Sequence, residues 1–220
     1  MTTFRAYDPE QDADAAFRIW QEVGWTEDDK KKREAFDLFV GASRALVAEI
    51  RGTAECLALS MPGSIRHLDE TLPFSAVTGV TTSRVARKQG LAGRLTAQLI
   101  AKDVANGALV AGLGIFEQGF YDRLGFGSGG YEHWLAFSPA QLNVETEHRI
   151  PRRITVKDWQ AVHASRHARQ QGHGAVNLVP ADFTQAEMIW SDDGFGLGYF
   201  DGPNGSLTHH IWLRGGDKEH

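Results

Sequence analysis

The stretch "RVARKQGLAGRL", residues 84–95, decides how the rest of the chain is read. It gathers Arg84, Arg87, Lys88 and Arg94 around Gly90 and then opens an apolar stripe at helical spacing. That stripe is Leu91, Leu95, Leu99, Ile100 and Val104, and it stops at Asn106 and Gly107, a helix C-terminal signal. Before it, "PFSAVTGVTTS" is rich in β-branched residues and reads as a strand; after it, "ALVAGLGIF" reads as a buried strand. A helix N-terminus offers unpaired backbone N–H groups and the positive end of a dipole, which together bind an anion. A glycine there lets a phosphate come close to the backbone, because no Cβ intervenes. Residues 87–92 give the pattern R-x-x-G-x-A, which has neither the Gly-Lys-Ser/Thr ending of a Walker A loop nor the form G-x-G-x-x-G. Taken alone, a structural helix start with scattered surface arginines explains it equally well. Its place between a strand and a helix, with another strand following, favours a phosphate.

The chain of 220 residues has room for one domain of ordinary size and part of another. Its net charge of −5 argues against a nucleic-acid partner, whose footprint is a basic face, so the cluster around Gly90 is a local exception. With 42% hydrophobic and 23% charged residues and no low-complexity run, a soluble globular protein is expected. Cys56, the single cysteine, excludes an intrachain disulfide; within "CLALSM" it reads as a buried, inert thiol rather than a nucleophile. The opening "MTTFRAYDPEQD" lacks the apolar core of a signal peptide, and no apolar run is long enough to span a membrane. A cytoplasmic protein with no membrane partner is expected.

Along the chain, "FRAYD" is a short strand stopped by Asp8 and Pro9. Ala16, Ile19, Trp20 and Val23 then recur at helical spacing, and "WTEDDKKKREAFDLF" leads into a second helix with Phe36 and Phe39 inward. "RALVAEIRG" and "AECLALSMPGSI" are strands around the turn residues Arg51 and Gly52. "QGFYDRLGF" is a short helix closed by Gly125, and "YEHWLAF" is a further strand. Antiparallel strands followed by strand-helix-strand-helix-strand make a mixed α/β domain over residues 1–142. The polar stretch 143–153 reads as a connection. Residues 154–220 restart with a helix and a hairpin around Gly202, Pro203, Asn204 and Gly205, the opening of a second, partial domain. His163 and His167, four residues apart, read as helix surface rather than metal ligands, and His209 and His210 face opposite ways on a strand. No metal is expected.

At residues 84–95 the chain resembles the GNAT acetyltransferases, whose R/Q-x-x-G-x-G/A loop between strand and helix wraps the pyrophosphate of acetyl-CoA. It resembles their Eis-like branch further, since "QGFYDRLGFG", residues 118–127, matches that branch's G-x-Y-x-R-x-G-Y/F-G segment. The resemblance covers most of residues 1–140. It implies a GNAT fold, a central, mostly antiparallel sheet with flanking helices whose strands splay at the acetyl-CoA site. It implies that residues 150 onward begin a second GNAT-like domain, in a chain that is either a fragment or an unusually short member. Homo-oligomers are implied as well.

The same resemblance implies roles. Tyr121 protonates the departing thiolate as a general acid. Val80, Thr81 and Thr82 pair the pantetheine arm and polarise the acetyl carbonyl through main-chain N–H groups. Arg87, Lys88, Gln89, Gly90, Leu91, Ala92 and Gly93 cradle the pyrophosphate, and Phe116 and Glu117 touch the cofactor from the next strand. Eis-like proteins take a general base from their own C-terminal carboxylate; "GGDKEH" offers no equivalent, so that role is not carried over. From the residues themselves, Trp25, Glu27 and Asp28 are suited to a cationic amine, by charge and by ring, although a solvated acidic loop reads the same way. The expected activity is transfer of acetyl from acetyl-CoA to a primary amine of a small molecule or peptide, by direct attack in a ternary complex. The alternative is a non-catalytic acyl-CoA-binding or regulatory module of the same fold.

Overall fold

The computed structural model describes residues 2–115, 119–129, 136, 138, 141, 143, 149–191 and 195–213. β1 (Thr2–Ala6) ends at Asp8, whose side chain accepts from the Glu10 N–H and caps α1 (Pro9–Glu22), with Pro9 in the first turn. α2 (Lys30–Gly41) is capped in the same way by Asp29, which accepts from the N–H groups of Lys31 and Lys32. β2 (Arg44–Ile50) turns at Arg51 and Gly52, both with positive φ (54° and 83°), into the long β3 (Thr53–His67). β4 (Glu70–Thr82) returns beside it. A short 3-10 helix, Arg84–Ala86, then leads to α3 (Leu91–Ala105) and β5 (Val110–Gly112).

The first sheet has the order β1-β2-β3-β4-β5, antiparallel throughout except for the parallel β4–β5 pair. Along β3 the side chains alternate between two cores. Leu57 and Leu59 join Phe17, Trp20, Phe36 and Val47 beneath α1 and α2. Cys56 and Ala58 join Leu46, Leu91, Leu95 and Leu99 beneath α3. Helices on both faces leave the sheet buried from either side, a mixed α/β form in three layers. Each large aliphatic side chain so buried contributes roughly 1.5–3 kcal/mol relative to exposure.

Two sequence expectations need correction here. Val104 does not belong to the buried face of α3; it is 60% exposed, and Asp103 turns inward in its place. The face advances by fours, 91-95-99-103, and Asp103 is held there by the Ser75 hydroxyl at 2.7 Å and Arg44 Nε at 3.1 Å. β5 is not a fully buried strand: its three residues are partly covered, and Leu109 before it is exposed. The expected strand "YEHWLAF" lies outside the described residues except for Ala136.

Beyond residue 149 the elements are β6 (Arg152–Ile154), α4 (Trp159–Ala168), β7 (Val176–Leu178), α5 (Ala181–Trp190), β8 (Phe195–Tyr199) and β9 (His209–Leu213). β6, β8 and β9 form an antiparallel sheet in that order. Strand, two helices, then a hairpin repeats the order of β1, α1, α2, β2 and β3. The departure from the repeat is β7, which leaves its neighbours and pairs with residues 63–65 of β3, on the side that β2 covers only as far as Ser60. α5 lies along α2, with Phe183 against Phe39 and Trp190 against Trp20 at ring distances of 5.8 Å each.

The histidines of this part fasten it together rather than standing as bare helix surface. His163 Nδ1 meets the Thr184 hydroxyl of α5 at 2.9 Å, His167 Nε2 meets the Leu178 carbonyl of β7, and His210 Nδ1 meets the Ser165 hydroxyl. Burial is the main reason that His163 and His210 titrate below the usual 6.5; nearby His167 and Arg166 act on His163 in the same sense, and Arg166 and Arg169 on His210. Because these folded-state values are lowered, the unfolded chain binds protons first as pH falls. The stability that the neutral rings contribute is therefore complete above about pH 6.5 and is lost below it. A thermal midpoint that declines from pH 7.5 to 5.5, with a shallower decline in His163→Gln, is the expected result. Equal slopes in the two proteins would remove His163 from the effect.

Candidate active site

The site begins with a glycine in a strand. In β4, Leu57 pairs with Thr81 but Leu59 pairs with Thr78, so Gly79 and Val80 form a bulge opposite one residue of β3. Gly79 has φ +57°, and a Cβ there would lie 2.6 Å from Leu59 Cδ1, so only glycine fits this bend. The parallel pairing with β5 stops at Ala76 and Gly112, while β4 continues to Thr82. From Val77 to Thr82 one edge of β4 therefore has no strand partner among the described residues. This is where the two strands splay.

Val80 packs toward the α3 side of the sheet, and the buried Thr81 donates its hydroxyl to the Gly79 carbonyl at 3.3 Å. The Thr82 hydroxyl meets Cys56 Sγ at 3.1 Å. Burial pushes the Cys56 thiol up to about 11, so it stays protonated and buried, a poor nucleophile.

The loop that follows turns through two left-handed residues, Lys88 (φ 62°) and Gly90 (φ 72°), before α3 starts at Leu91. No side chain caps this helix, unlike α1 and α2, and its first regular bond runs from the Arg94 N–H to the Gly90 carbonyl. A Cβ placed on Gly90 would meet nothing within 4 Å. The space in front of an uncapped helix N-terminus is open, a fit for a diphosphate held by backbone N–H groups. An extended arm joined to it would run along the unpaired edge of β4. Arg87, Lys88, Gln89 and Gly90 are exposed around this opening, and Leu91 is buried under the sheet.

Tyr121 stands at the start of the 3-10 helix Asp122–Leu124, which Gly125 closes with φ 88°. Leu124 of this turn reaches the first turn of α3, 3.6 Å from where a Cβ of Gly93 would be. The half-buried Tyr121 ring packs edge-on against Phe120 (4.9 Å) and Phe126 (5.7 Å). Burial raises its pKa above 10, which keeps the phenol protonated near neutral pH. Phe116 and Glu117 lie outside the described residues.

Trp25 and Glu27 line a cleft of about 460 Å³ together with Thr26, Asp29, Lys32 and Trp190. Asp28 is exposed and does not line it. Two further residues matter here: Trp20, which the sequence marks only as part of the apolar face of its helix, and Lys32, which it does not mark. Trp20 lies under the Gly79 bulge, 3.4 Å from its Cβ position, and carries Trp25 and Trp190 on its ring at 5.4 and 5.8 Å. Lys32 donates to the Trp190 carbonyl at 2.7 Å and so ties α2 to the end of α5. A lone glycine in a β-branched strand is a sequence signal for the bulge; nothing local signals Trp190. Among the described residues no group of three or more His, Cys, Asp and Glu is placed to hold a metal ion, and no helix is long and apolar enough to cross a membrane.

A bulged strand that parts from its parallel neighbour beside a glycine-led helix leaves a gap between two strands of the sheet. Residues 4–129 match the model of the acetyltransferase (GNAT) domain, and the chain belongs to that family, which uses acetyl-CoA. Solved structures of similar fold include a probable N-acyltransferase of unknown function from Enterococcus faecalis. It has a TM-score of 0.68 at 12% identity, over 99% of this chain and 56% of that one. A GCN5-related N-acetyltransferase from Kribbella flavida gives 0.67 at 16% identity, over 99% and 56%. Eis1 from Mycobacterium abscessus gives 0.65 at 16%, over 90% and 53%. The chain thus spans just over half the length of these proteins. No curated protein sequence matches it.

Proposed function

We propose that the protein transfers acetyl from acetyl-CoA to a primary amine of a small molecule or peptide, by direct attack within a ternary complex. The observation that carries this reading is the unpaired edge of β4 running into the uncapped, glycine-led start of α3. Residues 87–93 hold the pyrophosphate, and the β4 edge at Val80, Thr81 and Thr82 pairs the pantetheine arm and directs N–H groups at the acetyl carbonyl. The thioester supplies an activated acyl carbon. The cationic amine first gives one proton to solvent, and its freed nitrogen forms a bond to that carbon. The C–S bond breaks, Tyr121 gives its phenolic proton to the departing sulfur, and the proton then released by the amide nitrogen returns through water to the Tyr121 phenolate. The cationic amine approaches through the cleft of Trp25 and Glu27, where a carboxylate and an indole face both favour it. The protonated thiol of Cys56, bonded inside the sheet, argues for direct attack over an acyl-enzyme.

Acetyl-CoA titration by calorimetry, followed by thiol release with a panel of primary amines, tests the reading. Binding with amine-dependent thiol release is expected. Binding without turnover on any amine would favour a non-catalytic acyl-CoA module, and no binding would overturn the site.

Self-association belongs to the same reading, as the resemblance to the Eis-like acetyltransferases implies. Light scattering at micromolar concentration is expected to show a particle larger than the 24.2 kDa chain. A purely monomeric mass overturns this point.

A further inference from the structure

We propose that Glu22 is a positioning residue for the coenzyme loop, acting through the backbone N–H of Arg84; the inference rests on residues 87–93 being the pyrophosphate site. Glu22 is the last residue of α1, far from the loop in sequence. Its carboxylate Oε2 accepts the Arg84 N–H at 2.8 Å, and Arg84 Nε donates back to the Glu22 carbonyl at 3.1 Å. One residue earlier, the Ser83 N–H donates to the Glu55 carbonyl at 2.9 Å. Arg18 stands between the two acids, 3.3 Å from Glu55 Oε2 and 3.9 Å from Glu22 Oε1.

These bonds fix the stem of the loop at the point where the sheet lets go of it. The last β3–β4 pair is Cys56 with Thr82. Beyond it, the 3-10 helix Arg84–Ala86 has no side-chain cap of its own, and the buried Ser83 hydroxyl makes no hydrogen bond. The first N–H of such a turn needs an acceptor, and Glu22 supplies a charged one from another helix. The loop then passes through Lys88 and Gly90, whose left-handed conformations aim the first turn of α3. A stem free to shift carries the N–H groups of that turn out of line with a diphosphate. The same residue also ends the helix from which the loop to Trp25 and Glu27 departs.

Calorimetric acetyl-CoA affinity of the folded protein is the readout. Glu22→Ala is expected to weaken binding roughly 10-fold, the scale of one lost charge-assisted bond. Glu22→Gln keeps a carbonyl acceptor and is expected to restore affinity to within about 3-fold. Arg84→Pro deletes only the N–H that Glu22 accepts and the side chain, and the backbone tolerates it. Ser83 already has φ −55° and ψ 155°, as a residue before proline does, and position 84 opens a short helix. Arg84→Ala keeps the N–H and is expected to bind at least about 3-fold more tightly than Arg84→Pro. The double variant Glu22→Ala/Arg84→Pro is expected to be no weaker than the weaker single, since both break one bond. If Glu22→Ala does not fold, the Arg84→Pro and Arg84→Ala pair decides the question alone. A wild-type protein that binds acetyl-CoA beside a Glu22→Ala that binds equally well, or a double variant with the product of both losses, overturns the role of Glu22. A wild-type protein that binds no acetyl-CoA overturns the pyrophosphate site itself.

Discussion

Tyr121→Phe is expected to lower kcat by roughly 10²–10⁴, the span of a lost general acid, with acetyl-CoA affinity nearly unchanged. The ring keeps its edge-on contacts with Phe120 and Phe126, so packing and the position of Leu124 against α3 survive the change. Only the hydroxyl goes. Its raised pKa means that the phenol carries its proton at neutral pH, the state a proton donor needs. The loss belongs in kcat, because the interaction strengthens as the C–S bond breaks and the sulfur gains charge. A tyrosine with a purely structural role behaves otherwise: stability falls by about 1 kcal/mol and turnover holds. Steady-state thiol release with the best amine of the panel separates the two, and a wild-type kcat in the Phe variant removes Tyr121 from the chemistry.

Gly90→Val is expected to weaken acetyl-CoA binding by about 10–100-fold, far more than Lys88→Ala. Two effects act together. A β-branched residue at φ +72° carries a left-handed penalty of about 1–2 kcal/mol before any ligand arrives. Its Cβ and methyl groups then occupy the open space in front of the helix N–H groups, where no atom now stands within 4 Å. Lys88→Ala removes one exposed charge, which salt already screens. Equal losses for the two variants in a calorimetric titration would mean that side-chain charge, rather than the backbone, holds the phosphates.

The parts of this site that are legible in the sequence are those that punctuate it locally. Gly90 follows a β-branched strand and precedes a period-four stripe, so loop and helix are marked within a dozen residues. Gly125 closes the Tyr121 turn in the same way. What sequence periodicity cannot resolve is a polar residue on the inner face. Asp103 is buried because Ser75 and Arg44 come to meet it from β4 and β2, and neither is near it in the chain. The Glu22 contact and the place of Trp190 are hidden for the same reason, since each depends on elements brought together only by the finished fold. β7 is the extreme case: three residues, too few for an alternation to register, defined by the strand edge that receives them.

That last pairing bears on how the protein is made. Gly63 meets Leu178 across more than a hundred residues, and the ladder is extended by the bonds of Arg66 with Gly174 and Ala175. At a synthesis rate of about 5–20 residues per second, the far end of β3 leaves the ribosome on the order of ten seconds before its partner. During that interval α1, α2, α3 and most of the sheet are available to fold, while the stretch from Pro62 to Arg66 waits with one edge bare. A bare edge pairs with any strand that reaches it, including the same segment of a neighbouring nascent chain. The strand sent back at residues 176–178 therefore acts as a delayed seal on that edge.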